Sequence, residues 1–401
     1  MLLYGAIDHD ARVIREATTL REDGNDVVVY SLADAGSPGN LPFESRPVRP
    51  GRGVVPGAAS PFREQKLGWL GRLGARIRWL IGYGASFGGW LRAVGRVATP
   101  ADVWHGHDLF GLMAASWLAR RHGGVVVYDS HELFLEAGSA ARLPQLIRRV
   151  LGRVEGHLAR RAAVVITVNR SIARELASRY RVRPVVVMNC PPLPELDQPP
   201  RLRRALGLPA GRIVMYHGAL NPGRGVEELV DAIPSIVGNA VVVLLGDGDL
   251  APRYVEQAGA RPNDARLYVH PAVPVDELPA WISEADVGVI AFQPIDRNNR
   301  YGTPNKLFEY LSVGVPVVVS DFPEMASIVC DAGVGETCDP TRPDSIAVGV
   351  NLLLSEPDEE RASRRFRARA LAETRFNWAV ESLALRRAYD SIASLPATVP
   401  E

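Results

Sequence analysis

Apolar runs of strand length alternate with stretches of helical periodicity along nearly the whole chain. This alternation restricts the fold more than any other feature, because it is the pattern of parallel α/β layers. Met1 to Gly5 leads through a polar loop to a helix carrying Val13, Ala17 and Leu20, and Asp26 to Ser31 reads as the next strand. Gly36 to Pro61, rich in proline and glycine, reads as a long surface loop. Strands resume at Asp102 to His105, Gly124 to Asp129, Ala162 to Val168 and Pro184 to Met188. Cys190 to Arg201 holds five prolines and reads as a linker. A second α/β set follows in Arg212 to Tyr216, Ala240 to Leu245, Arg266 to Val269, Ala285 to Ile290 and Val315 to Ser320. The expected organisation is a first domain over 1–195, a second over 196–370, and a C-terminal helix in 371–401 packing back toward the first.

Bulk properties exclude several classes. No stretch approaches the roughly 18 to 20 uncharged apolar residues of a membrane span. Met1 runs directly into an apolar segment without the regions of a signal peptide, so a cytoplasmic location is expected. Cys190, Cys330 and Cys338 form no CxxC pair, which argues against a cysteine metal site and a disulfide framework. Residues 1–190 carry 26 Arg and Lys against 16 Asp and Glu, so the near-neutral chain joins a basic half to an acidic one. Of the 46 basic residues only Lys66 and Lys306 are lysines.

Open parallel sheets bind ligands beyond the carboxyl ends of their strands, so the loops after the strands are where chemistry is sought. In the first half these hold Asp8-His9-Asp10, His105-Gly106-His107-Asp108 and Asp129-Ser130-His131-Glu132. In the second, Gly218 to Gly225 lies between a strand and a helix, where backbone N–H groups and the helix dipole favour phosphate. It nearly matches a P-loop, but Gly225 stands where a Mg²⁺-binding hydroxyl is needed, leaving a phosphate loop with one cation, Arg224. Thr303-Pro304-Asn305-Lys306 opens a further helix, with Lys306 and Glu309 on one face near its positive end. The two histidines of His105-Gly106-His107 lack helical spacing, and loop packing outweighs a zinc site there.

The order HGALNPGRGVEELVDAI, LLGDGDL, VHPAVPVDELPAWISEADVGVIAF, PNKLFEYLSVGVPVVVSD and EMASIV resembles the donor-binding domain of family 4 glycosyltransferases. The earlier HDARVIREATTLREDGNDVVVYSL, DVWHGHDLFG, VVVYDSHELF and AAVVITVNRSIARELASRY resemble the acceptor-side domain of the same family. The resemblance implies a GT-B fold, two Rossmann-like domains facing each other across a cleft, and a retaining hexosyltransferase. It implies that Arg224 binds the donor diphosphate, that Glu309 binds the ribose hydroxyls, and that His131 lies by the reacting sugar. Gly218, Gly302, Thr303, Asn305 and Lys306 complete the expected donor site, His270 and Val273 mark the base-side loop, and Asp8, Arg12, His107 and Glu132 the acceptor side. The chain departs from the family at Ala219, where an arginine is common, at Tyr301, where a glutamate is common, and at Asp8 to Arg12, where a glycine pair is common.

Two cations and a helix N-terminus can neutralise a departing diphosphate, so neither metal nor cofactor is expected beyond the nucleotide-sugar donor. With no evident second carboxylate, the family mechanism of same-face attack guided by the leaving phosphate is expected, Glu132 and Glu136 being the alternatives for a base or nucleophile. Two rivals stand: a nucleotide-sugar 2-epimerase of the same fold, and a non-catalytic partner subunit. No nucleic-acid partner is expected; the acceptor is a glycan, a lipid-linked precursor or a small molecule. Residues 62–96 carry seven basic residues, Glu64 as the one acid, and Trp69, Trp79 and Trp90. Leu70, Leu73, Ile77, Leu80 and Ile81 recur at helical spacing, with Arg72 and Arg76 to one side. Two readings of this segment stand, a core-facing helix and a helix lying peripherally on the inner face of an anionic membrane.

Overall fold

The computed structural model describes residues 1–33, 41–50, 69–138, 140–196, 198–260 and 266–393, the side chains of His9 and of residues 69–77 excepted. The chain divides into two compact units, Met1–Val187 with Ser382–Glu401, and Met188–Glu381. The first crossing therefore comes earlier than the expected 195/196 junction, and residues 371–381 stay with the second unit. The proline-rich segment is part of the second unit's packing. The Trp378 N–H donates to the Pro191 carbonyl at 3.0 Å, and Arg201 donates to the carbonyl of Ala280 and to the Glu277 carboxylate.

In the first unit the opening apolar run supplies a single pairing position, Leu2, which bridges Tyr30 and Gly106 in parallel. Helix α1 (Ala11–Glu22) starts where the Asp10 carboxylate accepts from the Val13 N–H. Strand β1 (Val28–Leu32) pairs in parallel with β2 (Glu44–Val48), inside the segment expected to be loop. The remainder of that expected loop, 36–40 and 51–61, lies outside the described residues. A long helix α2 (Trp69–Val97) follows, then β3 (Val103–His107), α3 (Asp108–His122), β4 (Val125–Ser130), α4 (Gln145–Ala159), β5 (Val164–Thr167), α5 (Arg170–Tyr180) and β6 (Val185–Val186). Strands β3 to β6 form a parallel sheet in sequence order, and Leu2 lies between β1 and β3. Leu2, Tyr4, Tyr30, Phe87, Trp90 and Trp104 share one core. Trp90 is fully buried and donates to the Ser31 carbonyl, so the C-terminal part of α2 is core helix. Residues 62–68, and the side chains of Trp69, Leu70, Arg72, Leu73, Arg76 and Ile77, lie outside the description.

The second unit runs α6 (Leu202–Leu206), β7 (Ile213–His217), α7 (Val226–Ala232), β8 (Val241–Leu245), α8 (Ala251–Gly259), β9 (Leu267–His270), α9 (Leu278–Ile282), β10 (Val287–Ile290), α10 (Arg297–Tyr301), α11 (Asn305–Ser312), β11 (Val317–Ser320), α12 (Pro323–Ala332), β12 (Gly335–Cys338), α13 (Pro343–Leu354) and α14 (Asp358–Thr374). Helix α15 (Trp378–Ala393) carries the chain back into the first unit. The parallel sheet has the order β12-β11-β10-β7-β8-β9, so strand order reverses between β7 and β10. The loops after these two strands meet there. Gly225, at φ +76, stands so close to the second loop that a Cβ on it would lie 1.9 Å from the Ala291 carbonyl oxygen. Gly225→Ala is expected to destabilise the protein by at least about 2 kcal/mol, from strain at positive φ and from this clash. A denaturant midpoint equal to wild type would refute the close approach.

Candidate functional site

The reversal between β7 and β10 makes the loop after β7 the first place to look for an anion in the second unit. Gly218 follows the buried His217 at φ +105, and its missing Cβ leaves room for Lys306, whose Nζ lies 3.2 Å from where that atom would stand. Lys306, in the first turn of α11, is buried with Nζ 3.7 Å from the centre of the Tyr216 ring and 5.6 Å from that of Phe292. The Arg224 guanidinium sits 4.6 Å from the same Phe292 ring, so both basic side chains approach one aromatic ring beside the glycine loop. Burial above all, then repulsion from Arg224, holds the Lys306 ammonium well below the usual lysine range. Glu309, one turn further along α11, places Oε2 3.5 Å from His217 Nε2. The Tyr216 hydroxyl donates to the Ala219 carbonyl at 2.8 Å and fixes the start of the loop.

The first unit builds a second polar centre at the ends of Leu2, β3 and β4. Asp129, the penultimate residue of β4, is fully buried. Arg12 of α1 grips it bidentately, Nε to Oδ2 and Nη2 to Oδ1 at 2.8 Å each, and donates through Nη1 to the Val187 carbonyl at 2.7 Å. His131 Nε2 lies 2.9 Å from Asp129 Oδ2 and 3.1 Å from His107 Nδ1. Asp10 and Asp108 stand 3.7 and 3.8 Å from His131 Nδ1, and the Asp108 carboxylate accepts the His131 backbone N–H at 3.0 Å. Burial alone would strip the imidazolium of its proton, but Asp108, Asp129 and Asp10 outweigh burial and push His131 up to about 10. Burial also favours the neutral acid at Asp129, yet Arg12 and His131 prevail and hold it well below the usual carboxylate range. Behind them His105 Nδ1 meets the Tyr389 hydroxyl of α15 at 2.7 Å, and burial pushes Glu16 up to about 8 and His107 down to about 4. Glu16, His105, His107 and Asp129 each offer a ligand atom within 4.8 Å of the others, a set whose chemistry would suit a metal ion. Arg12 already contacts both carboxylates, at 3.0 Å for Glu16, so a dication there would face a guanidinium at hydrogen-bond range.

The structure thus brings Gly218, Arg224, Lys306 and Glu309 to one loop and helix end. Asn305 opens α11 and accepts from Asn189 at 3.0 Å, while Gly302 and Thr303 connect α10 to α11. His270 packs its ring 4.4 Å from Trp281, and the loop carrying Val273 is tied to Asp247 through the Ala272 N–H. The four expected acceptor-side residues differ in exposure. Arg12 and His107 are 2% and 1% exposed and contact Asp129 and, for His107, His131, whereas Asp8 is exposed and Glu132 half-buried. Sequence reasoning passed over Asp10, Asp108, Asp129, Glu16 and Tyr389 as site residues. The first three were visible as acids beside the chosen histidines and Arg12; Glu16 and Tyr389 carried no local signal.

Residues 200–371 match the family described as Glycosyl transferases group 1, and residues 11–191 match Glycosyltransferase Family 4. An uncharacterized glycosyltransferase of Methanocaldococcus jannaschii is 30% identical over 210 residues, 48% of this chain; the chain spans about half (51%) of that relative's length. The GDP-mannose-dependent alpha-(1-6)-phosphatidylinositol dimannoside mannosyltransferase of Mycobacterium tuberculosis is 27% identical over 307 residues, 74% of this chain and 75% of its own. Among solved structures, sucrose-phosphate synthase of Thermosynechococcus elongatus matches with a TM-score of 0.71 at 17% identity, covering 98% of both chains. Anabaena HepE in complex with UDP-glucose matches with the same score at 16% identity, covering 98% and 99%.

The carboxylates around His131 yield a test. Its pKa is raised above the ordinary 6.5, so its contribution to stability is complete below about pH 6.5 and is lost as pH rises through about 10. His131→Gln should flatten that part of the stability profile. By NMR the wild-type imidazole should stay protonated at pH 8, and Asp108→Asn should lower its midpoint. A wild-type midpoint near 6.5 would contradict the arrangement.

Proposed function

With its two halves matched by these models, the chain belongs to the group 1 and family 4 glycosyltransferases. On that premise we propose that it transfers a hexose from a nucleoside diphosphate sugar to a glycan acceptor with retention at the anomeric carbon. The observation that carries this reading is the convergence of Arg224 and Lys306 on the Gly218 loop at the strand-order reversal of the second unit. Two basic side chains at one ring, beside a glycine loop that leads into α7, make a receptor for a group with two adjacent phosphates. The relatives support the same ligand class with different bases, one being named for GDP-mannose and one solved with UDP-glucose.

In this reading Arg224 and Lys306 neutralise the charge that grows on the departing diphosphate, a role that needs no metal. Glu309 holds the ribose hydroxyls, Gly302, Thr303 and Asn305 the sugar and its phosphate, and the loop of His270 and Val273 the base. The acceptor attacks the face the diphosphate leaves, and the leaving phosphate takes the acceptor proton. His131 supplies positive charge on the acceptor side, flanked by Asp8 and Glu132. The acceptor is a lipid-linked or cell-surface glycan precursor, which the phosphatidylinositol dimannoside in the mycobacterial relative's name supports, and the protein works in the cytoplasm, peripherally at the inner membrane face. No helix among the described residues is long and apolar enough to cross a membrane.

Screening UDP-, GDP- and ADP-sugars for thermal stabilisation tests the donor site, since a ligand at a hundred times its dissociation constant adds about 2.7 kcal/mol. Arg224→Ala and Lys306→Ala should each abolish the stabilisation while remaining folded, and His131→Ala should keep it but lose turnover. Wild-type donor affinity in both cation variants would remove the assignment. Transfer should persist in EDTA; loss of activity restored by Mg²⁺ or Mn²⁺ would reject the metal-free step. Conversion of donor with no acceptor present would favour an epimerase.

A further inference from the structure

Helix α4 presents an unusual outer face. Leu146, Arg149, Val150, Arg153 and His157 recur at spacings of three and four, so they form one stripe, and all five are exposed, Leu146 at 69% and Val150 at 49%. The opposite face is anchored inside the unit, where the buried Glu155 carboxylate accepts from the hydroxyls of Tyr128 and Tyr180 at 2.6 and 2.8 Å. The stripe is therefore a face that packing leaves in water. The nearby acids are already engaged: Glu136 pairs with Arg148 and Arg179, and Glu155 is sunk beneath the helix. Among the described residues no carboxylate lies within ion-pair distance of Arg120, Arg149 or Arg153.

Beside the stripe runs a groove of about 480 Å³ between α2, α3 and α4. Phe87, Leu91, Met113, Trp117, Val154 and Leu158 line it, and Arg120, Arg153 and His157 complete its wall. Arg121 lies against the same tryptophan, 5.8 Å from its ring centre. Arginines without carboxylates ask for an anion. Exposed Leu146 and Val150, and an apolar groove walled by the same cations, ask for hydrocarbon next to that anion. A nucleic acid would meet the charge and leave the apolar groove unused; a phospholipid satisfies both, its phosphate on Arg149 and Arg153 and an acyl chain against Trp117.

We propose that the α4 stripe and this groove are the surface by which the protein docks on an anionic phospholipid bilayer. The inference rests on the reading of the acceptor as membrane-presented. It moves the contact from the 62–96 segment as a whole to α4 and a groove to which that segment contributes Phe87 and Leu91.

Co-sedimentation with vesicles tests it. The whole chain should pellet with phosphatidylglycerol vesicles and not with phosphatidylcholine vesicles. Arg149→Glu with Arg153→Glu, and separately Leu146→Ser with Val150→Ser, should each reduce binding at least tenfold. Val348→Ser with Leu352→Ser, an exposed apolar pair on α13 of the second unit, should bind as wild type. Phosphatidylglycerol brominated on its acyl chains should quench tryptophan fluorescence, less so in Trp117→Phe. The α4 variants should retain wild-type Tm and nucleotide-sugar stabilisation, which separates loss of docking from misfolding. Equal binding to both vesicle types, no vesicle binding, capture by duplex RNA alone, or α4 variants that pellet like wild type would each overturn the proposal. Vesicle binding by a protein that no nucleotide-sugar stabilises would leave docking intact and sink the donor assignment instead.

Discussion

The first unit is organised around the buried pair of Arg12 and Asp129. A guanidinium 2% exposed and a carboxylate 0% exposed are tolerable only because each satisfies the other at two points. Removing either member of such a pair typically costs about 3–5 kcal/mol, since the survivor is left charged and dry. The pair also joins parts distant in sequence. Arg12 belongs to α1, Asp129 to β4, and Nη1 of the guanidinium donates to the carbonyl of Val187, the last residue before the chain leaves the unit. His131 and His107 share the carboxylate that Arg12 fixes, so the orientation of the imidazolium is set through a bond made on another element.

The two polar centres solve the same electrostatic problem with opposite signs. In the first unit one imidazolium is surrounded by three carboxylates, and a guanidinium at the back restores the balance. In the second, two basic side chains approach one aromatic ring, with Glu309 a turn away along the helix. Both stand at the carboxyl ends of parallel strands where the chain reverses its order of laying them down, the place at which side chains from separate loops can meet without displacing the sheet. The use of lysine at position 306, in a chain otherwise supplied with arginine, has a steric counterpart. The space between Gly218 and the Tyr216 ring accepts a compact amine.

Much of this was legible in the sequence because parallel sheets announce themselves. Strands buried on both faces, such as Val241–Leu245 and Val317–Ser320, are near-continuous apolar runs, and turn residues bound them. The misses have physical reasons. Glu44–Val48 is an edge strand with a proline and two charged side chains, and its half-exposed pattern carries no period that distinguishes it from loop. Gly335–Cys338, an edge strand of the second unit's sheet, is shorter still and as mixed. The residues around the Gly218 loop could be named because they fall in two short local segments, Gly218 to Gly225 and Gly302 to Glu309. The centre around His131 could be named only in part. Arg12 could be placed on the acceptor side from its position in the Asp8 to Arg12 segment, but its burial depends on Asp129 more than a hundred residues away and on Val187, neither of which local spacing reveals.

Lys306 carries a consequence that reaches beyond recognition. A buried amine pressed against Tyr216 and repelled by Arg224 sheds its proton more readily than an ordinary lysine, and His217 beside it is held neutral by burial and by Lys306 itself. An anion bound in the loop, as proposed for the donor diphosphate, would offset that repulsion and favour the protonated amine. Ligand and proton are then linked quantities. On the proposed diphosphate reading, affinity would then fall as pH rises wherever binding takes up that proton, by up to about tenfold per pH unit.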